Sequence, residues 1–219
     1  MIRPASRTTT IPEPGLFDDQ ERPASLADVA EGVQSCRCCD LWRDATQGVP
    51  GEGPAPARLM LVGEQPGDQE DLAGKPFVGP AGAILDRALA EAGAPRSDFY
   101  VTNAIKHFKH EPRGKRRLHK TPNTGEVRAC KWWLDGERRL VRPKVIVALG
   151  STAAQAVLGR KVSVIQARGR AGRLEDGAEA FVTVHPSYLL RIPDEDAKHA
   201  AYEAFVRDLK AAYALAREA

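Results

Sequence analysis

The sequence has no long apolar run and only a mild excess of positive charge. No stretch of the 219 residues approaches the roughly 20 apolar residues that a membrane-spanning helix needs, and residues 1–10 have no apolar core of the signal-peptide kind. We therefore expect a cytoplasmic protein with no membrane partner. The formal net charge of +3 excludes a strong overall field, so attraction to an acidic partner must come from local clusters.

Cysteine is also scarce, with four residues in the whole chain. In a reducing compartment this number indicates metal ligands or free thiols, and it argues against a disulfide framework. Residues 1–24 are rich in Pro, Thr and Asp without periodicity and are expected to form a disordered tail. Residues 25–219 are long enough to bury a core without cross-links, and we predict a single domain there, with nothing that requires more than a monomer.

Short apolar segments alternate with segments of helical periodicity along this domain. The predicted strands cover residues 59–62, 99–105, 145–150 and 181–184. The predicted helices cover residues 25–33, 81–92, 124–140, 151–158 and 194–217. This alternation predicts an α/β fold of three layers, αβα, around a mostly parallel four-stranded sheet. In such folds functional residues collect beyond the carboxyl ends of the strands.

The segment from Lys106 to Lys120 concentrates seven Lys and Arg residues against one acid, Glu111. A histidine among cations tends to stay neutral and to keep a free lone pair, which makes His119 a candidate nucleophile. The neighbouring cations would bind a phosphate backbone. The alternative is a flexible, solvated basic loop, because charge runs often serve only solubility.

Several separate motifs, in order, resemble those of the family-four, iron–sulfur uracil-DNA glycosylases. They are Gly63-Glu64-Gln65-Pro66-Gly67, Gly74-Lys75-Pro76-Phe77-Val78-Gly79, Thr102-Asn103 and His185-Pro186-Ser187-Tyr188-Leu189-Leu190-Arg191. The likeness covers about residues 33–209 and implies the fold of these glycosylases. Within the group, Lys115-Arg116-Arg117-Leu118-His119 resembles the insertion of the UdgX branch, with Leu118 in place of the usual Ile. Members of that branch bind uracil-containing DNA and become covalently attached through this histidine.

The resemblance implies a pocket for a uracil base swung out of the DNA stack. Phe77 would stack on the base, Asn103 would pair with its N3–H and O4 edge, and Gly63 belongs to the pocket motif. Without the family likeness, Phe77 could equally be a packed loop residue and Asn103 a turn residue at a strand end.

The same resemblance assigns the catalytic groups. His185 would donate to the pyrimidine O2 as negative charge develops on the departing base, although a histidine before a proline could equally be a loop residue bonded to backbone. His119 would close on the sugar C1′ and stay there, giving one turnover per molecule, and Glu64 would orient it. Gln65 would add polar contacts in the pocket. The residues expected to hold DNA are Lys115, Arg116, Arg117, Ser187 and Arg191.

The cysteines form the second signal. Cys36 and Cys39 are a Cys-x-x-Cys pair, and Cys130 lies far along the chain. By resemblance to the UdgX branch, His107 takes the place of the family's fourth cysteine, so we expect a [4Fe–4S] cluster held by these four residues, with Cys38 spare. Zinc uses the same ligand types and is the main alternative, and ordinary buried thiols are a further one.

Two other functions remain open at this stage, and a third is disfavoured. A conventional glycosylase would use the same pocket and attack C1′ with water. A non-catalytic nucleic-acid-binding protein would use the basic segment alone and would not distinguish uracil-containing DNA. A metal-dependent hydrolase of small substrates would need an open coordination position, which the cysteine set does not offer. For the glycosylase, single-stranded DNA is the expected form of the partner.

Overall fold

The computed structural model describes residues 22–114 and 116–218, and most of the predicted tail therefore lies outside the described residues, as does Lys115. Within this part of the chain, the central sheet has the strand order β2-β1-β5-β7-β6. Its strands are β1 (Leu59–Gly63), β2 (Phe99–Asn103), β5 (Val145–Leu149), β6 (Gly169–Arg173) and β7 (Glu179–Thr183), and a separate hairpin pairs β3 (His110–Arg113) with β4 (Arg116–His119).

The four predicted strands are confirmed and run parallel to one another. Their residues are buried at nearly every position, which is why they appear in the sequence as continuous apolar runs. The predicted strand number is wrong by one, because β6 adds an antiparallel edge to β7, with a bulge between Arg170 and Gly172. The sheet is therefore five-stranded, still mostly parallel, with helices on both faces.

The five predicted helices are present to within two residues at each end, and three short helices that were not predicted add to them among the described residues. They are α1 (Leu26–Ser35), α2 (Asp68–Ala73), α3 (Pro80–Glu91), α4 (Thr124–Val141), α5 (Ser151–Leu158), α6 (Val164–Ala167), α7 (Pro186–Leu189) and α8 (Glu195–Glu218). Ser25 caps α1 and Asn123 caps α4, each in a capping box with the acidic residue three positions on. One apolar core lies under α1, α4 and α5, and the other under α3 and α8.

The basic segment forms an antiparallel hairpin, so the alternative of an irregular flexible loop is wrong for its described residues. His110 pairs with His119 across the two strands, and Arg113 pairs with Arg116 near the tip. Both strands are short and mostly exposed. The hairpin follows β2 and therefore rises from the carboxyl edge of the sheet, where the motifs named in the sequence analysis also lie.

Across the described residues, none of the helices combines the length and the apolar character that crossing a lipid bilayer requires.

Candidate active site

The predicted pocket residues Gly63, Phe77 and Asn103 meet where β1 and β2 end. Gly63 is the last residue of β1, and Asn103 is its partner at the end of β2. A Cβ atom at position 63 would lie 2.2 Å from Asn103 Oδ1 and 2.6 Å from Phe77 Cζ. The absence of a side chain at Gly63 is therefore what allows the Asn103 amide and the Phe77 ring to meet, and the three predicted pocket residues do lie together.

Phe77 is held in an unusual backbone conformation. Its φ of 55° lies in the left-handed region, which is rare for a bulky residue and typical of functional sites. Two neighbouring backbone N–H groups, of Gly67 and Gly79, donate to the buried Glu70 carboxylate at 2.9 and 3.1 Å. Arg96 donates to the Pro76 carbonyl at 3.0 Å. These contacts fix the loop that presents the aromatic ring.

His185 presents a buried donor to the same space. Its Nδ1 accepts the backbone N–H of Ser187 at 3.2 Å, which assigns the ring proton to Nε2. Nε2 is buried and has no hydrogen-bond partner within the described residues. The Phe77 and His185 ring centroids are 5.9 Å apart. An unpartnered, buried N–H beside an aromatic ring is a site for an acceptor on a planar ligand.

Burial also sets the charge of His185. It lowers the pKa of the imidazole to about 4, against an opposing effect of the nearby Glu64 carboxylate. The ring is therefore neutral at physiological pH and has one donor and one acceptor nitrogen. The predicted role as a neutral hydrogen-bond donor is compatible with this state.

Glu64 links the sheet to the hairpin. Its Oε1 lies 3.1 Å from His119 Nε2, and its Oε2 accepts from the Thr152 hydroxyl of α5 at 2.5 Å. Burial alone would raise the pKa of the Glu64 carboxyl, but the hydrogen bonds from His119 and Thr152 outweigh burial and the pKa is lowered. The carboxylate is thus ionised and fixed at both oxygens. His119 keeps about half of its side chain exposed.

The cations around His119 are largely paired with acids, which corrects the reasoning from the sequence. Arg117 donates to Asp68 at 2.6 Å and to the buried Asp71 at 2.5 Å, instead of facing outwards for phosphate. Lys109 pairs with Glu126 and Lys120 with Glu111. The charged group that contacts His119 is the Glu64 carboxylate and not one of these cations. The acids that pair with Arg117 and Lys109 come from distant segments, which a count of local charges does not include.

Gln65 holds the base of the hairpin. Its Nε2 donates to the carbonyls of Lys109 and Lys120, and its Oε1 accepts the Lys109 N–H at 3.0 Å. The amide is therefore occupied by the backbone of both strand ends. The sequence predicts polar contacts of Gln65 in the pocket, but the side chain is not directed there. Its effect on the site is to position His119.

The other predicted DNA-contacting residues divide into two kinds. Arg116 and Arg191 are exposed at the same edge of the sheet and remain available to phosphate. The Ser187 hydroxyl lies 2.8 Å from His185 Nδ1, so this residue orients the histidine. Thr152 and Glu70 were not found from the sequence, because each acts through a contact with a residue from another segment.

The cysteines gather on the face of the sheet that α1 and α4 cover. Cys130 belongs to that core, and Cys36 and Cys39 pack against it. The Cys36 sulfur accepts from Trp133 Nε1 at 3.2 Å, and the Cys130 sulfur accepts the Lys106 N–H at 3.2 Å. Such N–H donors are typical of the surroundings of metal-bound sulfur.

The predicted fourth ligand follows directly after Lys106. His107 is buried, and burial lowers the pKa of its imidazole to about 4, which leaves the neutral form that a metal ligand requires. Cys38 hydrogen-bonds to Cys36 and stays outside the predicted set. Among the described residues, no three His, Cys, Asp or Glu side chains are arranged as a site for a metal ion.

The strand order and the motifs at the carboxyl edge define an α/β protein with the fold of the uracil-DNA glycosylases. The chain belongs to the uracil DNA glycosylase superfamily, whose sequence pattern matches residues 50–210. It is 41% identical over 164 residues to a type-4 uracil-DNA glycosylase of Thermotoga maritima, covering 74% of this chain and 82% of that protein. A type-4 uracil-DNA glycosylase of Pyrobaculum aerophilum is 37% identical, and the match covers 77% of this chain and 86% of that protein. A type-4 uracil-DNA glycosylase of Sulfurisphaera tokodaii is 35% identical, and the match covers 78% of this chain and 78% of that protein. Within the superfamily, the type-4 branch is thus the one that these relatives support.

Proposed function

We propose that this protein excises uracil from DNA. The observation that carries the proposal is the buried His185 Nε2–H, which lacks an acceptor and lies beside the Phe77 ring. Type-4 uracil-DNA glycosylases are similar to the chain over most of its length, and their activity supports the same substrate. DNA is then the partner, and we propose single-stranded DNA as the preferred form because an unpaired base costs less to extrude.

Recognition of the base rests on Asn103 and Phe77. The Asn103 side chain is buried, so an unmatched edge would leave its amide desolvated and unpaired. Uracil offers a donor at N3 and an acceptor at O4, which match the amide, whereas cytosine offers the reverse pattern. Stacking on Phe77 would contribute about 1–3 kcal/mol and offset much of the cost of flipping.

Departure of the base depends on His185. As the bond between C1′ and N1 breaks, its electron pair moves to uracil and charge develops on O2. The Nε2–H of His185 would donate to that oxygen, and its hydrogen bond strengthens as the charge grows. The buried site makes this interaction larger than it would be in water.

Two reactions at C1′ are open to this geometry. In the conventional one, water attacks the cationic sugar, Glu64 accepts the proton of the water, and the enzyme turns over. The type-4 relatives support this reaction more directly than any other. Glu64 suits the role because its carboxylate is ionised and contacts His119, which is half exposed at the edge of the pocket.

The second candidate is covalent capture of the sugar by His119. The distance of 3.1 Å between His119 Nε2 and Glu64 Oε1 favours it, because the carboxylate can take the Nε2 proton. The freed lone pair would form the bond to C1′ while the electron pair of the glycosidic bond leaves on uracil. The product is a neutral alkylated imidazole, and each molecule reacts once.

One experiment tests both the activity and its form. The protein is mixed with a short deoxyuridine oligonucleotide and with its thymidine counterpart, and both oligonucleotide and intact protein are weighed by mass spectrometry. Uracil release with unmodified protein supports turnover, and a mass increase equal to the abasic oligonucleotide, mapped to His119, supports capture. Retention of uracil together with equal binding of both oligonucleotides would leave only a non-catalytic nucleic-acid-binding protein.

Matched variants separate the two reactions. His119→Ser should abolish any adduct and leave a turnover glycosylase, whereas His199→Ser, at an exposed histidine of α8, should change nothing. Glu64→Gln should slow base release under either reaction. If Glu64→Gln reacts at the rate of the unmodified protein, the role given to this carboxylate is wrong.

We also propose that Cys36, Cys39, Cys130 and His107 hold a [4Fe–4S] cluster. The three sulfurs share one side of the core, two of them accept N–H donors, and His107 is buried and neutral. When bound, the cluster would supply a cross-link between α1, α4 and the segment that leads into the hairpin. Iron and sulfide analysis with visible absorption tests it, and stoichiometric zinc without absorption would favour the alternative metal.

A further inference from the structure

A large cleft lies at the amino ends of the parallel strands, at the edge of the sheet opposite to the candidate active site. Its lining includes residues 56–58 before β1, residues 142–144 before β5 and residues 177–178 before β7. These positions are the amino ends of three parallel strands, whereas Gly63, Asn103 and His185 follow the carboxyl ends. The cleft has a volume of about 1010 Å³ and belongs to no part of the proposed reaction.

The cleft is strongly basic. Among the described residues, eight Lys and Arg side chains and three acids line it, a formal charge of +5, against +3 for the whole chain. The rest of the protein is therefore slightly acidic, and the positive potential is concentrated in this recess. A concave surface lined by one sign of charge focuses the field and raises the local concentration of an opposite partner.

Most of these cations have no acid of their own. Asp135 pairs with Lys131 and Arg138, and Asp176 pairs with Arg138. Ion pairs with acids are absent, within the described part of the chain, for the other cations of the cleft, which are Arg22, Arg58, Arg139, Arg142, Lys144 and Arg173. Arg58 and Arg173 instead donate to backbone carbonyls.

Arg138 is paired with Asp135 and Asp176, but one of its donor groups has no acceptor among the described residues. The side chain is 11% exposed, and its Nε–H is buried without an acceptor among the described residues. Burial of a cationic donor without a partner is unfavourable, and an anionic group bound in the cleft would reduce that cost.

The shape and lining favour a peptide over a nucleic acid. Proteins that bind single strands use aromatic side chains for base stacking, and none of the described residues that line the cleft is aromatic. A duplex needs an extended surface, whereas this site is a recess with buried small apolar residues such as Ala57 and Ala178. Arginine is the residue that best matches carboxylates, through two parallel hydrogen bonds.

We propose that this cleft binds an acidic segment of a partner protein whose carboxylates alternate with apolar residues. The carboxylates pair with the arginines around the recess, and the apolar side chains lie on its small apolar residues. Because the site is at the opposite end of the strands from the pocket, the partner can hold the protein near its substrate without covering the base-binding site.

The test uses the full chain and two fluorescein-labelled peptides, (Asp-Leu-Glu)4 and its neutral counterpart (Asn-Leu-Gln)4. Binding is followed by anisotropy at 50 and 300 mM KCl. The variant Arg142→Gln/Lys144→Gln removes two unpaired cations of the cleft, and Arg207→Gln/Lys210→Gln removes the same charge from α8. Uracil-free single-stranded and duplex oligonucleotides serve as competitors, and uracil release is measured for all proteins.

We expect saturable binding of the acidic peptide, weaker at high salt, and no binding of the neutral one. The cleft variant should bind at least fivefold more weakly, and the α8 variant should bind like the unmodified protein, with uracil release equal in all three. Equal loss in both variants, absence of saturable binding, or displacement of the peptide by the uracil-free oligonucleotides would overturn the proposal. None of these outcomes depends on whether the protein excises uracil.

Discussion

At the scale of single residues, Gly63 determines whether the pocket can form at all. A methyl group at this position would overlap Asn103 Oδ1 at 2.2 Å and Phe77 Cζ at 2.6 Å, distances that Cβ contacts do not reach. We predict that Gly63→Ala displaces both side chains and lowers the rate of uracil release by about 100-fold or more, because small misplacements at a reacting centre have effects of this size. Single-turnover release from a deoxyuridine oligonucleotide measures it.

Gly136→Ala is the matched control for this change. Gly136 lies within α4, and an added Cβ would have no neighbour closer than 3.8 Å. Alanine is favoured over glycine in a helix by up to about 1 kcal/mol, so this variant should be at least as stable and fully active. If Gly63→Ala releases uracil as fast as Gly136→Ala, the pocket does not depend on the approach of Asn103 and Phe77.

His185 should make stability fall towards acidic pH. Burial lowers its pKa to about 4 in the folded protein, whereas a free imidazole has a pKa near 6.5. Between these values the unfolded chain binds the proton and the folded protein does not, so the stabilisation present above pH 6.5 is lost as the pH falls towards 4. The free energy of unfolding should fall by up to about 1.4 kcal/mol per pH unit from this residue.

Urea unfolding at pH 7, 6 and 5 checks the prediction against His185→Gln, which cannot take up this proton. The difference in unfolding free energy between the two proteins should change in favour of the variant as the pH falls. His107, which has a similarly lowered pKa, is common to both and cancels. Parallel curves for the two proteins would show that the folded ring titrates normally.

Residues at strand ends were predictable, and residues that act through other segments were not. Asn103 and His185 stand where apolar runs stop, and the edge of a parallel sheet collects such positions. The roles of Gln65 and Arg117 depend on where the hairpin folds back, and their partners lie 44 to 55 and 46 to 49 residues away, respectively. The local excess of positive charge therefore predicts phosphate contacts for Arg117, whereas the structure shows that Arg117 anchors the hairpin through Asp68 and Asp71.

At the scale of elements, a buried ion pair joins β2 and α4. Lys106 Nζ donates to Glu137 at 2.7 Å, to Thr102 at 2.6 Å and to the Asn103 carbonyl at 2.9 Å, so all three of its protons are used. Glu137 also accepts from Gly51 N–H and from the Tyr100 hydroxyl. The network connects the strand that ends in Asn103 to the helix that contains Cys130.

We predict that Lys106→Met lowers the free energy of unfolding by about 3–5 kcal/mol, since it leaves a carboxylate buried and unpaired. The double variant Lys106→Met/Glu137→Gln should recover a large part of this loss, because the neutral amide still offers an acceptor. Lys198→Met, which removes an exposed ion pair with Glu195, should cost about 0.5 kcal/mol or less. Chemical denaturation compares the four proteins, and a double variant no more stable than the single one would contradict the reasoning.

Elements with a strong apolar period were found from the sequence, and the missed ones are short helices or charged strands. β6 reads Gly-Arg-Ala-Gly-Arg and pairs with β7 at the edge of the sheet, where no second buried face imposes an apolar pattern. β3 and β4 contain charged and polar residues with one Pro and one Leu, and they are held by each other and by contacts to distant segments. Neither their existence nor their register follows from local periodicity.

At the scale of the whole molecule, the positive charge is not where the DNA is proposed to bind. The cleft on the opposite side of the sheet has a formal charge of +5 in a chain with a net charge of +3. Around the pocket, Lys109, Arg117 and Lys120 are paired with acids. Binding of DNA should therefore rely on few phosphate contacts and on the base itself, more than on an extended basic surface.

This distribution predicts a shallow salt dependence of DNA affinity to which Arg191 contributes measurably. Each phosphate neutralised on a single strand adds about 0.7 to the slope of log K against log salt, and Arg191 is exposed beside the His185 motif. With a single-stranded oligonucleotide carrying a tetrahydrofuran abasic analogue, which has no base to release, Arg191→Gln should lower the slope by about 0.7 between 50 and 200 mM KCl. Lys210→Gln, an exposed cation on α8, should leave the slope unchanged. If the slope for Arg191→Gln equals that of the unmodified protein, the DNA phosphates are bound elsewhere. If both variants lower the slope by a similar amount, DNA affinity depends on the total charge of the protein and not on this edge of the sheet.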